Sequence, residues 1–117
     1  MGDDRVKPDE FDAAIASLGL TQVAAAELFG ANGRTARRWV LGESEIPELV
    51  EATLRIMVRR KIPVEDFHAI VDGRDGRKDI RSVLLLLKKH KISPIEAVRL
   101  IERPLLPHEI HEMLRTP

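Results

Sequence analysis

Residues 20–42 read LTQVAAAELFGANGRTARRWVLG, and this stretch decides the fold. Thr21 is placed to cap a short helix over 22–29, whose inward residues are expected to be Ala25, Ala26 and Phe29. Gly30 supplies the left-handed backbone of a tight turn, because a residue without Cβ adopts positive φ at no steric cost. Asn32 then caps a second helix over 32–41, with Ala36 and Trp39 turned inward. Its outward face is Gly33, Arg34, Thr35, Arg37 and Arg38, with three arginines and no acid between Gly30 and Gly42. A basic helix face therefore follows directly on a turn.

Gln22, Ala26, Gly30, Thr35, Trp39 and Gly42 stand where the lambda-repressor-like, Cro-type (XRE) helix-turn-helix family has its pattern, and the stretch resembles that family. Ile46-Pro47-Glu48-Leu49 and the helix after it look like the fourth helix of the same small bundle, so the resemblance covers residues 8–60. It implies double-stranded DNA as partner, with the second helix of the motif in the major groove and the first across the backbone. Base edges would be met by Arg34 and Arg37, with Asn32 beside them. An arginine fork pairs bidentately with guanine O6 and N7 for ~1–3 kcal/mol of discrimination. Thr21, Gln22, Thr35 and Arg38 are placed by the resemblance at phosphate oxygens, which set register and carry no sequence information. The chain departs from the pattern at Ala31 and Ala36, where larger aliphatics are usual, and at Glu43 and Glu45, where cations often stand. Gly33 lowers helix propensity by ~1 kcal/mol at the start of the second helix.

Outward from this stretch, the same helix-start signal recurs. Pro8, Pro47, Pro63, Pro94 and Pro107 are each followed within two residues by an acid, which suits the first turn of a helix and the positive end of its dipole. Ser93 with Glu96 forms a capping box. Apolar residues spaced three and four apart (Phe11, Ala14, Ile15, Leu18; Ile80, Val83, Leu84, Leu87; Ile95, Val98, Ile101) continue the helical reading, and no stretch alternates like a strand. The expectation is an all-α chain with helices over 8–18, 22–29, 32–41, 47–60, 63–71, 77–90, 94–102 and 107–115. Its division is a helix-turn-helix domain over 1–61 and a C-terminal helical unit over 62–117. Lys61-Ile62-Pro63-Val64-Glu65 is echoed by Lys91-Ile92-Ser93-Pro94-Ile95-Glu96, which reads as reused helix-start chemistry.

The 117 residues carry 19 Lys+Arg against 19 Asp+Glu, so no overall field draws the chain to nucleic acid and local charge has to do so. No Cys is present, which excludes disulfides, thiolate metal sites and thiol nucleophiles. The longest apolar run, Val83–Leu87, is far short of the ~20 residues a membrane span needs, and no signal segment opens the chain, so a cytoplasmic, nucleoid-associated protein is expected. Arg59-Arg60-Lys61 and Lys88-Lys89-His90-Lys91 fall at helix ends and read as cations complementing the dipole. His108 and His111 lack the spacing of a helical zinc motif, and Asp72, Asp75 and Asp79 that of a calcium loop, so no metal or other cofactor is expected. No nucleophile and base are brought together by sequence, which argues against an enzyme.

In the second half, Val83-Leu84-Leu85-Leu86-Leu87 is apolar all round and predicts burial on every side. A unit of this size has little core of its own, so a two-fold homodimer through residues 63–117 is expected. The functional expectation is a sequence-specific transcriptional regulator, a repressor, binding an inverted repeat as a dimer. The alternative is a protein-binding adaptor or antitoxin-like component whose C-terminal helices hold a partner protein.

Overall fold

The computed structural model describes residues 8–115, with side chains for 8–111. Its elements are α1 (Pro8–Ser17), α2 (Gln22–Leu28), α3 (Gly33–Leu41), α4 (Glu48–Arg59), α5 (Val64–Asp72), α6 (Ile80–Lys89), α7 (Pro94–Ile101) and α8 (Pro107–Arg115), and the described residues contain no strand. The protein is all-α. Four polar side chains, Thr21, Asn32, Asp79 and Ser93, act as N-caps on the helices they precede. Thr21 Oγ1 accepts from Ala24 N–H at 3.0 Å, Asn32 Oδ1 from Thr35 N–H at 2.9 Å and Asp79 Oδ1 from Ser82 N–H at 3.2 Å. Such a cap is worth about 1 kcal/mol against alanine. Pro47 and Pro63 stand at the cap position itself, one residue before the expected first turn, and give no side-chain bond. The capping box at Ser93 is half made: Ser93 Oγ accepts from Glu96 N–H, but the Glu96 carboxylate pairs with Arg60 across the α4–α7 interface instead of reaching back.

The Lys-Ile echo marks helix ends as much as helix starts. Lys61 and Lys91 both take left-handed backbone, with φ of 52° and 55°. Ile62 N–H closes onto Met57 O and Ile92 N–H onto Leu87 O, each at 2.9 Å, and both isoleucines are buried. This is the Schellman stop with its hydrophobic follower, built on lysine where glycine is commoner.

Two buried clusters meet along α4. Phe11, Ala14, Ile15, Ala25, Ala26, Ala36, Trp39, Ile46, Val50, Leu54, Val58 and Leu105 make the first, and Ile110 packs on it. Leu28, Ile56, Met57, Ile62, Phe67, Val71, Val83, Leu86 and Ile92 are central to the second. Residues from α5, α6 and α7 thus line the second cluster, whereas Leu105 and Ile110 return to the first as α8 lies against α1 and α4. Near-equal extents of 32 × 31 × 28 Å reflect that return.

Two sequence expectations are corrected here. Phe29 is only half-buried, its ring tilted against Phe67 at 6.4 Å, and Leu28 is the α2 residue sealed inside at 1% exposure. The 83–87 run is not buried on every side within the chain. Val83 and Leu86 face the core, while Leu84 and Leu85 remain 54% and 41% exposed, because α6 is covered on only one side by α5.

Arginines tie the segments together. Arg55, wholly buried on α4, donates from Nε and Nη2 to the two Glu10 oxygens at 3.1 and 3.2 Å and from Nη1 to Ile101 O at 2.7 Å. One turn later, Arg59 donates to Glu109 and to the carbonyls of Leu100, Arg103 and Pro104. Both guanidiniums therefore solvate carbonyls at the C-terminal end of α7. The expectation that the 59–61 cations complement the end of their own helix is not what Arg59 and Arg60 do: Arg59 solvates the terminus of the neighbouring helix, and Arg60 pairs with Glu96.

Glu109 links α8 to this network. Burial opposes its ionisation, yet hydrogen bonds from Arg59 and from Leu106 N–H, with the charges of Arg59 and His108, outweigh burial and hold the carboxyl below its ordinary 4.5. A pKa lowered by folding contributes stability above the unfolded value that is lost as pH falls through the folded one. The thermal midpoint should accordingly drop on acidification below about pH 4.5, and Glu109→Gln should flatten part of that drop while lowering stability at pH 7. Parallel acid titrations of wild type and variant measure this; identical profiles would contradict it.

Candidate nucleic-acid interface

The α2–α3 pair is positioned by small residues. Ala25, Ala26 and Ala36 are all fully buried, so the two backbones approach closely, and α3 also lies against α1, where Trp39 meets Phe11 edge to face at 5.6 Å and 83°. Gly33 has a structural reason that propensity alone does not supply. A Cβ there would meet Val23 Cγ2 of α2 at 3.3 Å, so the weaker helix former permits the close approach of α3 to α2. Gly30, with φ of 75°, turns the chain between them, and Gly42, also at 75°, ends α3.

With its Ala36–Trp39 side fixed in the core, α3 presents the opposite side outward. Arg34, Arg37 and Arg38 are exposed, and residues three and four apart on a helix lie about 5–6 Å from each other, so the three guanidiniums share one face. None of the three has a hydrogen-bond or ion-pair partner among the described residues. Arg55, Arg59, Arg60 and Arg74 each pair with an acid. Arg77, Arg81, Arg99 and Arg103 are also exposed and without a side-chain partner among the described residues, so what distinguishes α3 is that three such arginines share one helix face. A solvated guanidinium without an internal partner can be given up at no cost to the fold, and it keeps all five N–H donors for an outside acceptor.

The remaining sequence candidates flank this face. Thr21 is exposed at the start of α2, its Oγ1 occupied as acceptor by Ala24 N–H and its hydroxyl proton still available. Gln22 is half-buried in the first turn of α2. Asn32 is exposed but commits Oδ1 to the α3 cap, leaving its Nδ2 donors. Thr35 is half-buried in the first turn of α3. Sequence reasoning overlooked Lys78. It lies outside the quoted stretch, in the α5–α6 connection, yet its Nζ donates to Glu27 O and its Cδ comes 3.7 Å from the Cβ position of Gly30. The only sequence signal for it was the basic character of residues 74–81.

An open cleft of about 710 Å³ is lined by Arg59, Arg99, Glu102, Arg103, Pro104, Leu106 and Glu109, and Arg59 and Glu109 there already satisfy each other. Among the described residues no three His, Asp or Glu side chains converge on a point that would hold a metal ion. The Glu112 side chain, next to His111 in sequence, lies outside those described. Asp72 ends α5, Asp75 lies in the turn after it and Asp79 caps α6, with Asp79 held below its ordinary carboxyl value chiefly by the hydrogen bond from Arg74. No helix among the described residues is long and apolar enough to cross a membrane. Comparison with family models, with curated proteins and with solved structures gives no match to the chain.

Proposed function

We propose that the protein is a sequence-specific DNA-binding regulator of the helix-turn-helix kind, in which α3 enters the major groove and α2 lies across the backbone. The observation that carries this reading is the α3 face: three exposed, unpaired arginines on one side of a helix whose other side is buried. A rigid helix held from behind is what major-groove entry requires. Arg34 and Arg37, nearer the N-terminal end, take the base edges, while Arg38, Thr35, Thr21 and Gln22 meet phosphates. Asn32 is chiefly a cap and adds at most its amide donors.

The regulator acts as a homodimer on an inverted repeat, repressing by occupancy, in the cytoplasm and associated with the nucleoid. Exposed apolar residues in the second half, Ile80, Leu84, Ile95 and Val98, support self-association. They equally favour the second reading, an adaptor or antitoxin-like component that holds a partner protein there. Selection from a random duplex pool separates the two. Enrichment of a palindrome supports the dimeric regulator; a pool that stays random at low salt, together with a stoichiometric protein partner on purification, supports the adaptor.

A further inference from the structure

The α5–α6 connection belongs to the second half of the chain, yet it is bound to the turn between α2 and α3. Lys78 makes the link, its stem crossing Gly30 and its ammonium donating to Glu27 O at the C-terminal end of α2. Gly30 is two residues before the cap of α3. Two Cα steps span at most about 7.6 Å, so Lys78 sits beside the end of α3 from which Arg34 projects. A major groove is about 12 Å wide between its phosphate walls. With the N-terminal end of α3 in such a groove, a cation at this distance upstream of the cap stands at the wall.

The connection is held in shape from beneath. Ser82 is wholly buried, donates from Oγ to Arg77 O, receives a hydrogen bond from Arg74 Nη1, and has its N–H capped by Asp79. Arg74 and Asp79 neutralise each other. What the segment then shows to solvent is Arg77, Lys78 and Arg81 against Asp72 and Asp75. The Arg77 and Arg81 side chains have no partner among the described residues, and Lys78 uses one of its three donors.

We propose that this segment is a second DNA contact, in which Lys78 with Arg77 and Arg81 grips backbone phosphate beside the α2–α3 turn, so that the second half of the chain takes part in DNA binding. The proposal rests on the reading of α3 as the groove-entering helix. It assigns these residues to affinity and register and not to sequence, since phosphate contacts carry no base information.

The test is the salt dependence of binding to a labelled duplex of mixed sequence, for wild type, Arg77→Ala/Arg81→Ala, Lys78→Gln and Arg34→Ala/Arg37→Ala, each checked by thermal melting. Removing one phosphate-binding cation should reduce the slope of log K against log salt by about 0.9. The expected result is a slope shallower by about 2 for Arg77→Ala/Arg81→Ala and by about 1 for Lys78→Gln, at unchanged melting for the arginine pair. Wild type that binds with the same slope as Arg77→Ala/Arg81→Ala would overturn this inference and leave the α3 reading standing. Wild type that binds no duplex at low salt would remove the α3 reading and this inference with it.

Discussion

Arg55→Leu should cost about 3–5 kcal/mol of folding stability, the range seen when one partner of a buried ion pair is removed. Arg55 is wholly buried, and its bidentate partner Glu10 has a side chain only 8% exposed. Without the guanidinium, the Glu10 carboxylate keeps one described donor, Leu105 N–H at 3.0 Å, and is stranded as a nearly buried group without its charge partner. Ile101 O loses its partner as well. A destabilisation of that size is a large share of the 5–15 kcal/mol typical of a whole domain, so the variant should be marginally folded or unfolded at 37 °C. Denaturant unfolding of Arg55→Leu beside Arg55→Leu/Glu10→Leu measures it. The double variant should recover part of the stability, because two apolar groups strand no charge. A single-variant effect under 1 kcal/mol would show that the network is solvated and contributes little.

Arg34→Ala/Arg37→Ala should do the reverse, leaving the fold intact and removing recognition. Both side chains are exposed and have no partner among the described residues, so the stability change should stay within about 0.5 kcal/mol. Each arginine fork on guanine is worth ~1–3 kcal/mol of discrimination, and the pair together should lower affinity for a selected operator by roughly 30-fold to 10⁴-fold. Fluorescence anisotropy on operator and scrambled duplexes reads both terms. The operator preference should collapse toward scrambled DNA, and an unchanged preference would take base reading away from these two residues. Arg38→Ala, by contrast, should weaken operator and scrambled duplex alike.

The helices were legible because their signals are local. A proline followed by an acid, a capping Thr21 or Asn32 and a glycine at 30 or 42 each act within one turn, and the elements lie where those residues place them. The inward placement of Ala36 and Trp39 follows from helical spacing alone. The misplaced details depend on distant neighbours. Leu28 is sealed inside, and Phe29 left half-buried, because the second cluster reaches α2, which periodicity in a seven-residue helix cannot reveal. Leu84 and Leu85 stay exposed because α6 is covered from one side.

The arginine network was illegible for the same reason. Arg55 meets Glu10 across 45 positions and Arg59 meets Glu109 across 50, and an arginine set among the apolar residues of α4 looks in sequence like any snorkelling cation. At the candidate interface, the basic face of α3 could be read from its spacing, but the freedom of its arginines could not. That freedom shows only in the structure, where Glu10, Glu109, Glu96 and Asp79 pair with Arg55, Arg59, Arg60 and Arg74 and, among the described residues, no acid pairs with the α3 arginines. Lys78 belongs to the same class, joining the α2–α3 turn from a position 51 residues beyond Glu27.

The measurement that bears most directly on the central claim is amide chemical-shift mapping of the ¹⁵N-labelled chain during titration with a mixed-sequence duplex at low salt. If α3 is the DNA-entering helix, the perturbed amides cluster at residues 21–24 and 32–38 and the effect fades as salt is raised. Shifts confined to α6 and α7, or none at all, would contradict it.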